Sequence, residues 1–182
     1  MAEPSLFEVV YRVLAISTCP VGAVTVTAQY GLDTVHLTTT PGVQLADAGA
    51  AQNVSIPLAG LLPARTYRVR LLAQSAGGTT ASAFLTLTTP ALKPVSKAKP
   101  KLRGTARVGR TVTCTSGTWL GAPAPKLTYR WRIGTRVSSR YRSSRLKLAS
   151  SMRGRKVACV VTARNAAGSV TARSPAVTVR RR

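Results

Sequence analysis

The chain has 182 residues, 45% of them hydrophobic, and a formal net charge of +23 from 27 Lys and Arg against only four Asp and Glu. That length allows one large or two small domains, and so few acids leave little room for the paired carboxylates of acid–base hydrolysis. The charge is unevenly spread: residues 1–90 hold four arginines (Arg12, Arg65, Arg68, Arg70) and all four acids (Glu3, Glu8, Asp33, Asp47), while the other 23 basic residues lie in residues 91–182 with no acid among them, which implies two domains with different electrostatic roles.

The first residues do not read as a secretion signal. Glu3 and Glu8 sit where positive charge belongs, Arg12 interrupts the apolar run, and no small-residue cleavage site follows. Either the mature chain begins here, or such a signal belongs to a longer precursor. No apolar run approaches the length of a membrane span. Leu6 to Thr18 is predicted to form one or two strands, ended by the turn Cys19-Pro20-Val21-Gly22, with Cys19 a free thiol. Strands follow at Ala23 to Tyr30, where Val24 and Val26 alternate with Thr25 and Thr27, and at Val35 to Thr40. Ala46 to Gln52 reads as a loop, Val54 to Leu58 as a strand, and Arg68 to Ala73 as a strand whose inner row is Tyr67, Val69, Leu71 and Ala73. After the hairpin Gly77-Gly78 the last strand of this half runs from Thr79 to Thr89.

Leu61, Pro63 and Tyr67, then Ala73 and Gly78, then Phe84 and Thr86, with Tyr30-Gly31 in the middle strand, resemble a bacterial fibronectin type III module. The resemblance implies a β-sandwich over residues 1–90 and a structural role for Tyr67, whose hydroxyl ties the crossing between sheets to the strand after it. The first strand is weak or missing, since Met1 to Glu8 is short and polar. An unpaired edge near the N-terminus follows, which suggests a piece of something longer.

Residues 91–101, rich in proline and lysine, are expected to form a semi-rigid spacer whose later part can serve as the next domain's first strand. Beyond it, Thr111 to Thr115, Leu127 to Ile133, Arg145 to Leu148, Lys156 to Arg164 and Val170 to Val179 are predicted strands, with a Pro-rich turn at Gly121 to Pro125 and another turn at Met152 to Gly154. In the strand after Lys156, Val157, Cys159, Val161 and Ala163 share one face. Val108-Gly109, Gly117-Thr118-Trp119, Tyr129 with Trp131, Gly154, Val161-Thr162-Ala163, Asn165 and Gly168 resemble the immunoglobulin-like repeats of large secreted proteins of high-GC bacteria. Met152 and Val157 depart from the usual pattern, in the turn and at the corner tyrosine of antibody-type domains. The order Cys114, Trp131, Cys159 is similar to that of immunoglobulin-like sandwiches, and implies a Cys114–Cys159 disulfide between sheets with Trp131 packed on it. Such a bond, closing about 45 residues, stabilises by roughly 4 kcal/mol and persists in an oxidising compartment. The alternative on the residues alone is two reduced thiols in the core. Trp119 is expected to pack under a turn.

The expected architecture is thus all-β, two tandem β-sandwich domains at 1–90 and 102–182, the second ending in the Arg180–Arg182 tail. Catalysis finds no support. His36 is the only histidine and reads as a surface or edge residue, no phosphate-cradling glycine loop opens a helix, and three scattered cysteines with one histidine do not make a zinc site; no cofactor is expected. The basic half is the remaining candidate. Strand alternation turns Lys126, Arg130, Arg132, Lys156 and Arg164 outward, and neighbouring strands would gather them on one surface. Arg136, Arg140, Arg142, Arg145 and Lys147 are expected along the adjoining edge. Arginine suits bidentate contact with phosphate, sulfate or carboxylate. The expected role is a non-enzymatic adhesion or anchoring module, extracellular or at the cell surface, in contact with an acidic polymer: teichoic acid, acidic polysaccharide or nucleic acid such as extracellular DNA. No recognition helix or aromatic stacking platform favours nucleic acid specifically. The competing readings are a structural spacer or stalk and an accessory module of a secreted hydrolase.

Overall fold

A computed structural model describes residues 23–45 and 54–181. The strands expected over Leu6 to Thr18, the turn at Cys19 and the loop Ala46 to Gln52 lie outside them. The fold is all-β, and the chain divides into two compact units, Met1–Pro90 and Ala91–Arg182.

In the first unit, β1 (Val24–Gly31) and β4 (Thr66–Ser75) pair antiparallel at the centre of one sheet. Two short strands, β2 (Thr38–Thr39) and β3 (Val43–Leu45), flank β1, and β5 (Gly78–Ala81) and β6 (Leu85–Thr88) flank β4. Each interrupted edge has a side-chain cause. The Thr40 hydroxyl accepts the Ala28 N–H at 2.9 Å, and the Ser82 hydroxyl accepts the Leu71 N–H at 2.9 Å, so a hydroxyl replaces a ladder carbonyl and the strand breaks there. The single strand expected over Thr79 to Thr89 is therefore two.

Val24, Val26, Ala28 and Tyr30 of β1 and Tyr67 and Val69 of β4 bury one face of this sheet against Val54, Ile56, Leu58 and Leu61. The segment Val54 to Leu58 alternates buried and exposed as predicted, yet pairs with no strand among the described residues, and Pro57 has no N–H to give. Beyond it Tyr67 is buried and its hydroxyl accepts the Leu62 N–H at 2.8 Å, five residues upstream. Thr89, also buried, ties the same bend by donating to the Leu62 carbonyl at 2.7 Å and accepting the Arg65 N–H at 3.0 Å. Val35 to Thr40 is not the expected strand. Asp33 Oδ1 accepts the N–H groups of Val35 (2.9 Å) and His36 (2.6 Å), which fixes the segment as a loop and leaves only Thr38–Thr39 to pair.

The second unit is a sandwich. One layer is the three-stranded sheet β13 (Arg145–Lys147), β9 (Thr111–Thr115), β8 (Lys101–Arg103). The other is the sheet β12 (Arg136–Ser138), β11 (Lys126–Ile133), β14 (Lys156–Asn165), β15 (Gly168–Arg173), with β16 (Val177–Thr178) also on β14. Val112, Cys114, Leu146 and Leu148 come from the first layer. They meet Trp131, Val157, Cys159 and Val161 of the second in one core, and each such buried side chain contributes about 1.5–3 kcal/mol. Cys114 and Cys159 form a disulfide across the layers, with Cα atoms 6.0 Å apart. Trp131 is fully buried beside it and donates its indole N–H to the Ser143 carbonyl at 2.8 Å. A buried tryptophan on a disulfide between two sheets is a hallmark of immunoglobulin-like sandwiches.

Three sequence expectations are corrected here. The spacer at residues 91–101 is largely strand: β7 (Leu92–Ala98) pairs with β10 (Thr118–Ala122), starting at Leu92 and not merely in its later part. Pro94 is fully buried while Lys93, Val95 and Lys97 are exposed, so this proline sits in the inward row of an alternating strand in a two-stranded ribbon. The Pro-rich turn therefore begins later than Gly121, because Gly121 and Ala122 belong to β10. Asn165 holds this junction by donating its amide to the carbonyls of Leu92 (2.6 Å) and Pro123 (2.9 Å). Finally, the strand predicted from Val170 to Val179 is interrupted where the Ser174 hydroxyl accepts the Cys159 N–H at 3.0 Å and Pro175 lacks an N–H.

Candidate functional site: a basic sheet face

The inner row of β14 is fully buried, so its register against β11 decides what the outer face shows. Lys126 stands opposite Arg164, Thr128 opposite Thr162, Arg130 opposite Val160, and Arg132 opposite Ala158. On the far side of β14, Thr162 faces Thr171 and Val160 faces Arg173. Lys156, two residues before Ala158, stands opposite Thr178 on the same side. Lys126, Arg130, Arg132, Lys156 and Arg164 therefore share one sheet face. Arg173, which sequence reasoning omitted, joins them. The signal for it was present in the alternation Ser169, Thr171, Arg173 against Val170, Ala172.

This face is not uniformly polar. Ala158 and Val160 are buried although they point away from the core. Arg130 and Arg132 stand directly across from them, close enough for their aliphatic stems to cover these small apolar residues while the guanidinium heads reach water. Thr128, Thr162 and Thr171 form a hydroxyl row across the three strands, with the Thr162 and Thr171 hydroxyls 3.0 Å apart. The face thus offers strong charged donors separated by neutral ones.

The remaining predicted members lie elsewhere. Arg140 and Arg142 sit in the connection between β12 and β13, Arg140 stacked over the Tyr141 ring at 5.9 Å and Arg142 donating to the Ser139 carbonyl at 3.1 Å. Arg145 and Lys147 point outward from β13, in the opposite layer. There Arg145 and Arg103 flank Thr113, Lys147 faces Thr111, and Lys101 faces Thr115. Arg136 pairs with Ile133, whose side chain points toward the core side of its sheet. The expectation that these five line an edge adjoining the first surface is corrected: the basic residues occupy both broad faces, because alternation on β8, β9 and β13 sends their polar residues outward from the other sheet. Arg180 is likewise not a free tail. Its N–H donates to the Ala106 carbonyl at 2.8 Å and its carbonyl accepts the Val108 N–H at 3.1 Å.

Trp119 is half-buried against the core and donates its indole N–H to the Ser116 carbonyl at 2.9 Å, a packing role under the turn. His36 is exposed, with Nδ1 3.0 Å from Asp33 Oδ2. That hydrogen bond, with those from the backbone N–H groups of His36 and Val35, holds the Asp33 carboxyl down to about 2. Among the described residues there is no group of three or more His, Cys, Asp or Glu placed to hold a metal ion, and no helix long and apolar enough to cross a membrane.

No family model matches the chain, and no curated protein matches it. Among solved structures it is similar to the amphioxus IgVJ-C2 molecule, at 18% identity over 95% of this chain and 94% of that one, with a TM-score of 0.45. It is similar also to Sidekick-1 immunoglobulin domains 1–5, at 19% identity over 86% of this chain and 33% of that one (TM-score 0.36). The N-terminal four Ig domains of Dscam1 isoform 7.44 show 14% identity over 85% of this chain and 37% of theirs (TM-score 0.40). The chain spans about a third of the length of the latter two. At these scores the immunoglobulin-like assignment of the second unit rests on its own disulfide, tryptophan and strand register.

Proposed function

We propose that this chain is a non-enzymatic adhesion or anchoring module from the outside of a bacterial cell, a fibronectin type III-like unit followed by an immunoglobulin-like one, whose basic sheet face holds an acidic polymer. The polymer is a teichoic acid, an acidic polysaccharide or extracellular DNA. The observation that carries the reading is the gathering of Lys126, Arg130, Arg132, Lys156, Arg164 and Arg173 on one face of a unit that contains no Asp or Glu. With no carboxylate to neutralise them, their field extends beyond the surface by about a Debye length, roughly 8 Å at physiological salt. The disulfide suits an oxidising compartment, and the Tyr67 hydroxyl bond to Leu62 supports the fibronectin-like reading of the first unit.

The test is retention of the full chain on immobilised polyanions of different backbone as salt is raised. Contact with about five phosphates is expected to lose roughly 10² to 10³ in affinity between about 50 and 200 mM salt. Replacing Arg130 and Arg132 by glutamate is expected to weaken binding strongly at every salt concentration. A structural spacer would show no saturable binding to any polymer, and that outcome overturns the proposal.

A further inference from the structure

We propose that the concavity between Thr105, Arg107, Arg110 and Thr111 is a discrete binding site for a phosphate or sulfate ester group carried on a sugar-sized unit. It lies in the loop from β8 to β9, beside the outward row of the three-stranded sheet. The six-residue basic face belongs to the other layer, so this site does not rest on the polymer-binding reading above.

Four observations support it. The first is the donor set. Arg107 and Arg110, which line it, carry planar, permanently charged forks of the kind that match the oxygens of a tetrahedral oxyanion, and Thr105 and Thr111 carry hydroxyls that can donate to further oxygens. Among the described residues none of these four side chains has a hydrogen-bond partner within the protein, and residues 91–182 contain no Asp or Glu to occupy the arginines.

The second is preorganisation. The loop is short and held at both sides by backbone bonds: Arg110 N–H to the Arg107 carbonyl (3.1 Å), Gly109 N–H to Leu148 (2.7 Å), Leu148 N–H to Arg110 (2.8 Å) and Val108 N–H to Arg180 (3.1 Å). Arg107 and Arg110 thus project from a fixed frame, so less conformational entropy is lost when an anion orders them.

The third is the surrounding charge. Lys147 stands directly across from Thr111 on β13, and Arg180 forms a bridge with Arg107. The Arg180 contact is a backbone bridge, and both residues add to the positive charge carried by the strands and loop around the site.

The fourth is size. The depression is open to solvent, its four lining residues are all exposed, and its volume of about 540 Å³ is well above what one oxyanion needs. The oxyanion takes the donors, and the remaining open space takes the sugar that carries it.

The experiment is a titration of the isotope-labelled full chain, followed by NMR at the arginine side-chain and backbone N–H groups, with inorganic phosphate, inorganic sulfate and glycerol 3-phosphate as separate ligands. Ionic strength is held constant with chloride. The expected result is saturable shifts centred on Thr105, Arg107, Arg110 and Thr111, one ligand per chain, with a dissociation constant on the order of 1 mM. Arg107→Gln and Arg110→Gln are each expected to weaken binding about tenfold or more, the loss of one charge-assisted contact. Arg107→Lys is expected to recover only part of it, because an ammonium keeps the charge and loses the fork. Shifts of similar size at every basic residue, growing without saturation, overturn the proposal, as does a phosphate isotherm unchanged by Arg107→Gln and Arg110→Gln. The Arg130/Arg132 glutamate variant separates the two readings: polymer retention falls and the phosphate isotherm stays if both hold, whereas loss of only one of these results sinks only the reading it tests.

Discussion

Asp33 is the only acidic side chain among the described residues, and it acts on its own loop. Its carboxylate holds two backbone N–H groups and the His36 ring, which lowers its ionisation from 3.8 to about 2. A carboxyl with a depressed folded-state value stabilises the folded loop fully above its ordinary range near pH 4, and that contribution is lost as pH falls through about 2. The expected result of a carboxyl NMR titration is a midpoint near 2 for Asp33, with the Val35 and His36 amide signals moving in step. In Asp33→Ala those two amides are expected to exchange with solvent much faster, while β1 is unaffected. A midpoint in the ordinary carboxylate range would show that the hydrogen bonds to Asp33 do not persist in solution. The sequence placed His36 at the surface correctly but read Val35 to Thr40 as strand. β-branched content favoured pairing, and the competing turn chemistry of Asp33 prevailed.

At the scale of elements, β11 and β14 show both how much pattern reveals and what it conceals. Period-two alternation alone sorts Trp131 and Cys159 inward and Arg130, Arg132 and Arg164 outward, and the register agrees. Alternation cannot reveal which outward residues stand directly opposite one another. Lys126 faces Arg164, and like charges directly opposite destabilise a pair by roughly 0.2–1 kcal/mol. Arg164→Glu replaces that repulsion with attraction. It is therefore expected to raise stability by about 0.5–1 kcal/mol in a denaturant titration at low salt, and to weaken retention on a polyanion. A variant less stable than the parent would mean that the pair does not repel as drawn. β7 and β10 show the opposite failure of legibility. Proline and lysine in residues 91–101 signalled a spacer, yet Pro94 falls in the inward row of β7, where an edge ribbon tolerates its missing N–H. The pocket loop carried still less signal. Nothing in the spacing of Thr105, Arg107, Arg110 and Thr111 announces a hollow, which arises from backbone bonds to Leu148 and Arg180, far away in sequence.

For the second unit as a whole, the disulfide is the one covalent tie between two layers whose outer surfaces repel charge of their own sign. Closing 45 residues limits the unfolded chain and contributes about 4 kcal/mol, a large fraction of the 5–15 kcal/mol typical of a domain. Replacing both Cys114 and Cys159 by alanine is expected to cost about 3–5 kcal/mol, measured by chemical denaturation of the second unit's tryptophan signal. Added salt is expected to recover part of this loss by screening the repulsion. A stability unchanged by the double substitution would mean that packing around Trp131 alone holds the layers. The order Cys114, Trp131, Cys159 made this core legible, because burial and alternation fix where such residues can go. The distribution of charge was half legible: the sequence identified one basic face, and the layer holding Lys101, Arg103, Arg145 and Lys147 supplies a second.

A slab that is cationic on both broad sides has no neutral back. Two copies of the second unit cannot stack sheet on sheet without bringing like charge together. On the proposed function, the same two-sidedness would let the second unit meet one acidic strand on each face, as mortar rather than as a coating.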